Sequence, residues 1–77
     1  MVVLNNITRQ GNIISADYTP DGWQNPGWLA VDIKTGIVTD LDKSPDDGGG
    51  YYPRAAMALT RLSEKAELPK DYTYSWY

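Results

Sequence analysis

Glycine and proline residues interrupt this chain of 77 residues so often that residues 54–68 form its longest stretch free of both. Apolar residues recur in that stretch at a helical period, which predicts a helix from about residue 53 to residue 67. Pro53 suits the first helical turn because it has no N–H group to satisfy, and Pro69 ends the helix. The buried stripe of this helix is predicted to contain Ala55, Leu59, Leu62 and Ala66.

The first 18 residues have the pattern of a β-hairpin. Residues 2–9 and 12–18 are predicted to pair across a tight turn at Gly11, with either Gln10-Gly11 or Gly11-Asn12 at its centre. Both turns place the same residues on the inner face. That face is predicted to carry Val3, Ile7, Ile14, Ala16 and Tyr18, with Val2, Leu4 and Ile13 as apolar exceptions on the opposite face.

A second hairpin follows a loop rich in proline and glycine. Residues 28–33 alternate in polarity, with Leu29, Val31 and Ile33 on one side, and residues 37–41 are predicted to return as the partner strand. The connection Lys34-Thr35-Gly36 is a good three-residue hairpin loop, because glycine adopts the left-handed conformation that its last position requires.

The C-terminal tail alternates again and predicts a last strand that pairs with an open sheet edge. Its aromatic residues Tyr72, Tyr74 and Trp76 are predicted to fill the core. Together the elements predict an α+β two-layer sandwich: an antiparallel sheet of two hairpins plus a C-terminal strand, with one helix packed on one face. Residues 1–77 are predicted to form a single domain.

Composition bears on function mainly through what the chain lacks. It contains no histidine and no cysteine, which removes the commonest general base, the thiolate nucleophile and the softer metal ligands. We therefore expect neither an enzyme nor a bound cofactor. The net charge is −3 and the seven Lys and Arg residues are scattered, so nucleic-acid binding is not expected. No apolar run approaches the ~18 residues of a membrane span, and a soluble cytoplasmic protein is expected.

The segment from residue 42 to residue 50 is acidic and then glycine-rich, and it is predicted to be a mobile linker. Asp40, Asp42 and Ser44 match the first oxygen ligands of a calcium-binding EF-hand loop. The match then fails, because Pro45 replaces the required glycine and Tyr51 stands where the bidentate glutamate belongs. A metal site is therefore not predicted, and the favoured interpretation is a solvated connection between the hairpin and the helix.

Nine residues are aromatic, and all of them are tryptophan or tyrosine. These two side chains suit contact surfaces because each combines a large apolar area with a polar group. Trp23 lies between two turns, where it is either an exposed binding anchor or folded back over the core. Tyr51 and Tyr52 precede the helix, and one of the two is predicted to pack against its first turn. Tyr77 is predicted to be exposed.

The hairpin ending in Val31-Asp32-Ile33-Lys34-Thr35-Gly36, the alanine-rich helix that begins after tyrosine, and the ending Leu68-Pro69-Lys70 with Trp76-Tyr77 together resemble a known group. The chain is similar to short uncharacterised proteins encoded in phages and prophages of Gram-positive bacteria. The resemblance implies a phage context and a non-enzymatic role, and it implies no site residues.

The resulting hypothesis is a small non-enzymatic accessory module that binds a host or virion protein. The alternative is an acidic inhibitor whose carboxylates imitate nucleic-acid phosphates and occupy a nucleic-acid-binding protein. Self-assembly into a homodimer, with the terminal strand exchanged between subunits, is a third expectation. The residues predicted to contact a partner are Trp23, Asp42, Asp46, Asp47, Tyr51 and Tyr77.

Overall fold

A computed structural model describes residues 1–76 and shows a five-stranded antiparallel sheet with one helix packed against it. Tyr77 lies outside the described residues. The α+β architecture is therefore confirmed. The strand order across the sheet is β4-β3-β2-β1-β5. The elements in chain order are β1 (Val2–Gln10), β2 (Ile13–Pro20), β3 (Gly27–Asp32), β4 (Val38–Asp42), α1 (Tyr52–Leu62) and β5 (Tyr72–Tyr74).

The first hairpin turns at Gly11-Asn12, because Gln10 pairs directly with Ile13. Gly11 has a φ of 61°, the positive value that a two-residue hairpin turn of this kind needs at its first position. The turn is one of the two that the sequence predicted, but the face assignment is wrong for the start of β1.

A β-bulge explains that error. The register of β1 against β2 shifts between Asn5 and Thr8, and Asn6 has a φ of 55°. A bulge adds one residue to one strand and so reverses its alternation. Val2 and Leu4 are consequently buried in front of the bulge, Ile7 is buried after it, and Val3 lies on the opposite face. Val2, Leu4 and Ile7 therefore belong to one core, although their spacing in the sequence breaks the period of two.

The second hairpin has the loop that its sequence predicts. Gly36 has a φ of 72°, and its N–H donates to the carbonyl oxygen of Asp32 at 2.8 Å. Leu29 and Val31 are fully buried, as predicted, and Ile33 packs against the core from the end of the hairpin. The return strand begins one residue later and ends one residue later than predicted.

Helix α1 begins with Pro53 in its first turn and ends at Leu62, five residues before the predicted end. The Ser63 hydroxyl donates to the carbonyl oxygen of Thr60 at 2.5 Å, and the Arg9 guanidinium donates to the Ser63 carbonyl oxygen at 3.2 Å. Side chains thus satisfy carbonyl groups that a longer helix would have used. Ala66, predicted to continue the buried stripe, lies beyond the helix and is exposed.

The C-terminal strand pairs antiparallel with β1, so the predicted addition to an open edge is confirmed. The prediction that its aromatics fill the core is wrong in part. Tyr74 and Trp76 are half-buried and pack against the core from its margin, whereas Tyr72 is exposed. Within residues 1–76, no helix has the length and apolar character needed to cross a bilayer.

Candidate functional site

Two connections meet at the end of the sheet where β3 begins and α1 starts. We define the Trp23 loop as residues 21–26, between β2 and β3, and the acidic segment as residues 43–51, between β4 and α1. Hydrogen bonds join the two loops to each other and to β2. This end of the molecule gathers Trp23, Asp46, Asp47 and Tyr51 of the predicted contact residues, although it does not display all of them.

Asp47 is the centre of the acidic segment, and it is buried with 5% of its surface exposed. Its carboxylate accepts the backbone N–H groups of Gly49 at 2.7 Å, Tyr51 at 3.1 Å and Tyr52 at 3.1 Å. These donors include the first residue of α1, so the carboxylate satisfies N–H groups at the start of the helix. Asp47 is therefore buried, and its role as a partner contact stays a prediction. The segment around it, predicted to be a mobile linker, is held by these hydrogen bonds.

Tyr18 supplies the fourth hydrogen bond to Asp47 and ties the acidic segment to the sheet. Its hydroxyl donates to Oδ2 of Asp47 at 2.8 Å and accepts the backbone N–H of Ser44 at 2.9 Å. Sequence reasoning placed Tyr18 in the core but missed this role. The detectable signal was a tyrosine at a fully buried strand position, since a buried tyrosine hydroxyl needs a hydrogen-bonding partner.

Both members of this pair have shifted pKa values. Burial would raise the pKa of Asp47, but hydrogen bonds from Gly49, Tyr18, Tyr51 and Tyr52 outweigh it and lower the pKa below its ordinary value of 3.8. Burial raises the pKa of Tyr18 to about 12, and the neighbouring Asp47 carboxylate acts in the same direction against the opposing hydrogen bond from Ser44. The pair therefore holds one negative charge, on Asp47, across the physiological range.

Gly27 lets the two connections approach closely. A Cβ atom added at this position would lie 2.5 Å from the backbone nitrogen of Ser44 and 2.6 Å from a ring carbon of Tyr18. It would also lie 2.7 Å from the carbonyl oxygen of Asp42. These distances are shorter than van der Waals contact, so only glycine fits where the Trp23 loop enters β3.

Asp46 and Ser44 fasten the acidic segment to the Trp23 loop. Oδ2 of Asp46 accepts both the backbone N–H of Asn25 at 2.8 Å and its side-chain amide at 3.1 Å. The Ser44 hydroxyl donates to the carbonyl oxygen of Asn25 at 2.6 Å. Asp46 is exposed, as predicted, but its carboxylate also holds the neighbouring loop.

Trp23 is the most exposed of the large apolar side chains, with 77% of its surface accessible. This finding decides between the two alternatives that the sequence left open, because the ring is not folded back over the core. The turn that carries it is fixed on its other side as well. The Gly22 N–H donates to the Thr19 carbonyl oxygen at 3.2 Å, and Gln24 N–H donates to the Pro20 carbonyl oxygen at 3.3 Å.

Tyr51 is half-buried between the loops and the C-terminal tail. Its hydroxyl donates to Oδ2 of Asp21 at 2.9 Å, and its ring meets that of Trp76 edge-on at 5.7 Å between centroids. The Arg54 guanidinium lies 4.6 Å above the Trp76 ring, a cation–π distance. Tyr51 thus contacts the first residue of the Trp23 loop, and only part of its own surface is accessible to a partner.

Asp42 directly precedes the acidic segment, but its side chain lies on the sheet face that α1 leaves uncovered. It stands directly across from Trp28 on β3, which in turn stands across from Asp17 on β2. Asp40 is the next residue of β4 on the same face, and it stands opposite Ala30. Among the strand residues that share this face with Trp28 none is Lys or Arg, so the uncovered face is acidic around a Trp that is 37% exposed.

Across residues 1–76 no three carboxylates come together in a way that would hold a metal ion. Asp47, which follows the partial EF-hand match, is buried and accepts the N–H group of Tyr52 at the start of α1.

Comparison with known proteins identifies no relative of this chain. No protein-family model, curated protein or solved structure matches this chain.

Proposed function

We propose that this chain is a small non-enzymatic module that binds another protein, with Trp23 as its anchor. The observation that carries the proposal is the 77% exposure of Trp23 on a loop fixed by hydrogen bonds at both ends. Exposed tryptophan is the residue type most enriched at the energetic centres of interfaces. A loop already held in place loses little conformational freedom on binding, which favours affinity.

The arrangement of the acidic residues supports a role without catalysis. Asp47 uses its carboxylate to accept four hydrogen bonds, and Asp46 holds Asn25. None of the grooves described within residues 1–76 is lined by Asp40, Asp42, Asp46 or Asp47, so no described groove places one of these carboxylates beside a base. The proposal also includes a cytoplasmic location, for which the absence of cysteine is suitable, and the phage or prophage origin that the sequence resemblance implies.

A pull-down tests the anchor. The chain offers a single-site attachment, because a Glu64→Cys variant would carry the sole cysteine, at an exposed position just beyond α1. We expect the immobilised protein to capture a specific partner from lysate and the Trp23→Ala variant to lose that capture. Because Trp23 is exposed, the substitution should change the free energy of unfolding by less than about 0.5 kcal/mol.

Ile37→Ala is the matched control. Ile37 is 62% exposed at the other end of the sheet, so this variant removes a comparable exposed apolar side chain away from the Trp23 loop. Capture that survives in Trp23→Ala, or that disappears equally in Ile37→Ala, would exclude Trp23 as the anchor.

One observation favours a second candidate function, an acidic inhibitor that occupies the nucleic-acid-binding surface of its partner. The uncovered face presents Asp17, Asp40 and Asp42 around Trp28 without a basic strand residue. Such a complex should weaken steeply between low salt and about 0.3 M, where the screening length is only several Å. It should also dissociate when single- or double-stranded nucleic acid is added. A Trp23-anchored complex should show neither behaviour.

A further inference from the structure

Strand β4 ends the sheet on the side opposite β5, and within residues 1–76 no strand pairs with its outer edge. Its one neighbour is β3, and no other backbone hydrogen bond described for the chain involves Thr39–Leu41. An edge of this kind presents N–H and C=O groups to which a further strand can bind.

The two faces of β4 differ in chemistry. Asp40 and Asp42 point to the uncovered face, because they pair with Ala30 and Trp28. Leu41 pairs with the buried Leu29 and so points to the helix side, where it is 40% exposed. An added strand would therefore meet carboxylates on one face and an apolar side chain on the other.

The helix side of this edge also contains a groove of about 630 Å³ between α1 and the β3–β4 hairpin. Its lining includes Val38, Tyr52, Met57 and Arg61. Met57 is 39% exposed. The groove is mostly apolar, and the one charged side chain in its lining, that of Arg61, would repel a basic residue placed there.

A second copy of this chain is a poor occupant of the edge. If two β4 strands paired antiparallel about Leu41, Asp40 of each copy would stand opposite Asp42 of the other. Like charges directly opposite across a strand pair destabilise the pair. The same carboxylates would attract a strand with basic residues at those positions.

We propose that the β4 edge binds an extended segment of a partner protein in which Lys or Arg alternates with apolar residues. The basic residues lie opposite Asp40 and Asp42, and the apolar residues enter the groove beside Met57. The inference rests on the proposed role in protein binding but uses a surface without Trp23, so the two can fail separately.

The probe is a seven-residue peptide, Thr-Lys-Val-Lys-Val-Lys-Thr, titrated into ¹⁵N-labelled protein at low salt. We expect saturable binding, with the largest amide shift changes at residues 38–42. The control peptide Thr-Lys-Lys-Lys-Val-Val-Thr has the same composition without the alternation and should bind at least about tenfold more weakly, since only alternation puts charge and apolar groups on opposite faces. Equal binding of the two peptides would overturn the proposal.

Backbone methylation tests the strand pairing itself. In a paired strand, the N–H groups of alternate residues point to the neighbouring strand. N-methylation of the valines and N-methylation of the lysines should therefore have opposite outcomes: one peptide loses binding and the other keeps it. Two methylated peptides that bind equally well would show that the contact is not a strand pair.

Variants of the protein test the charge complementarity. The double variant Asp40→Asn with Asp42→Asn should weaken peptide binding about tenfold. The double variant Glu64→Gln with Glu67→Gln makes the same change in net charge at exposed positions outside the edge, and should weaken it less than about twofold. Equal losses would indicate attraction to net charge and contradict the proposal.

Trp23→Ala separates this inference from the proposed function. The variant should bind the peptide with unchanged affinity even where it loses capture of a partner. Loss of peptide binding in Trp23→Ala, or a dimer of the free chain that the peptide dissociates, would overturn the assignment of the edge to a basic strand.

Discussion

The β3–β4 hairpin loop and the acidic segment are both short, polar connections, yet they are held in different ways. In the hairpin loop, Asp32 accepts the N–H groups of Lys34 and Gly36, so the contacts that close the turn lie within five residues. The acidic segment is held by Asp47, whose partner Tyr18 is 29 positions away in the chain. The contacts of the hairpin loop can be predicted from a short stretch of sequence. The contacts that hold the acidic segment arise only when the sheet has formed.

The two regions also require glycine for different reasons. Gly36 is needed for its own backbone conformation, with a φ of 72° and no atom within 4 Å of an added Cβ. Gly27, at the junction with the acidic segment, is needed because Tyr18 and Ser44 leave no space for a side chain. The following predictions test this contrast.

The largest effect is expected for Gly27→Ala. The added Cβ would lie 2.5 Å from the backbone of Ser44, so the two connections must separate, and we expect a loss of about 3 kcal/mol or more in the free energy of unfolding. Denaturant unfolding measures this change. Gly48→Ala is the control, because nothing lies within 4 Å of its Cβ position, and its effect should stay near 0.5 kcal/mol. Similar losses in both variants would show that the close packing at Gly27 is unimportant.

Asp47→Asn should have the next largest effect. The amide keeps the size of the carboxylate but offers one acceptor oxygen and turns an NH₂ group towards backbone donors, which should cost about 2 kcal/mol. Faster hydrogen exchange at Gly49 and Tyr51 should accompany the loss, because both donate to this carboxylate. Asp46→Asn is the matched control at an exposed neighbour, and it should cost about 0.5 kcal/mol. If Asp46→Asn cost as much, the buried network would not be what orders the segment.

Acid should reproduce part of the Asp47→Asn effect. Since the pKa of Asp47 is lower in the folded state than its ordinary value of 3.8, its contribution to stability is complete above that value and is lost as the pH falls through the folded pKa. We expect the free energy of unfolding to fall more steeply below about pH 4 in the parent protein than in Asp47→Asn. Parallel pH profiles for the two proteins would contradict a lowered pKa at this site.

Gly36→Ala should have the smallest effect of the series. The cost is the backbone strain of a residue with a Cβ in the left-handed conformation, about 1 kcal/mol, with no steric overlap. Gly36→Asn should recover part of that loss, because asparagine adopts this conformation more readily than alanine. Thermal unfolding of the two variants makes the comparison, and a larger loss in the asparagine variant would show that the loop depends on more than φ.

The fold was predictable from the sequence because most of its signals are local. The hairpin loop at Gly36, the helix start at Pro53 and the alternating C-terminal strand each follow from a few adjacent residues. The bulge at Asn6 was not predictable by the same means, since a strict period of two placed Val3 inside and Leu4 outside. Which residues of β1 are buried depends on how the other strands and the helix pack against it. The sequence of β1 alone does not contain that information.

The candidate site, like the fold, was predictable only in part. Trp23 could be selected as a candidate anchor from its position between two turns, and its exposure rules out the alternative in which the ring folds back over the core. The sequence could not show which of Asp46 and Asp47 is buried, because two adjacent aspartates in a loop have the same local pattern. Tyr18 distinguishes them, by burying one carboxylate and leaving the other at the surface.

The pairing of β1 with β5 has a consequence for chain connectivity. Val2 stands directly opposite Tyr74, and paired Cα atoms in such a ladder lie about 5 Å apart. A short linker could join the chain there, and new termini could be opened at Thr35, in the exposed loop at the other end of the sheet. Such a circular permutant would keep all four strand pairs while changing which residues come first. We expect such a permutant to form the same sheet, which would show that strand neighbours in space, and not strand order along the chain, specify it.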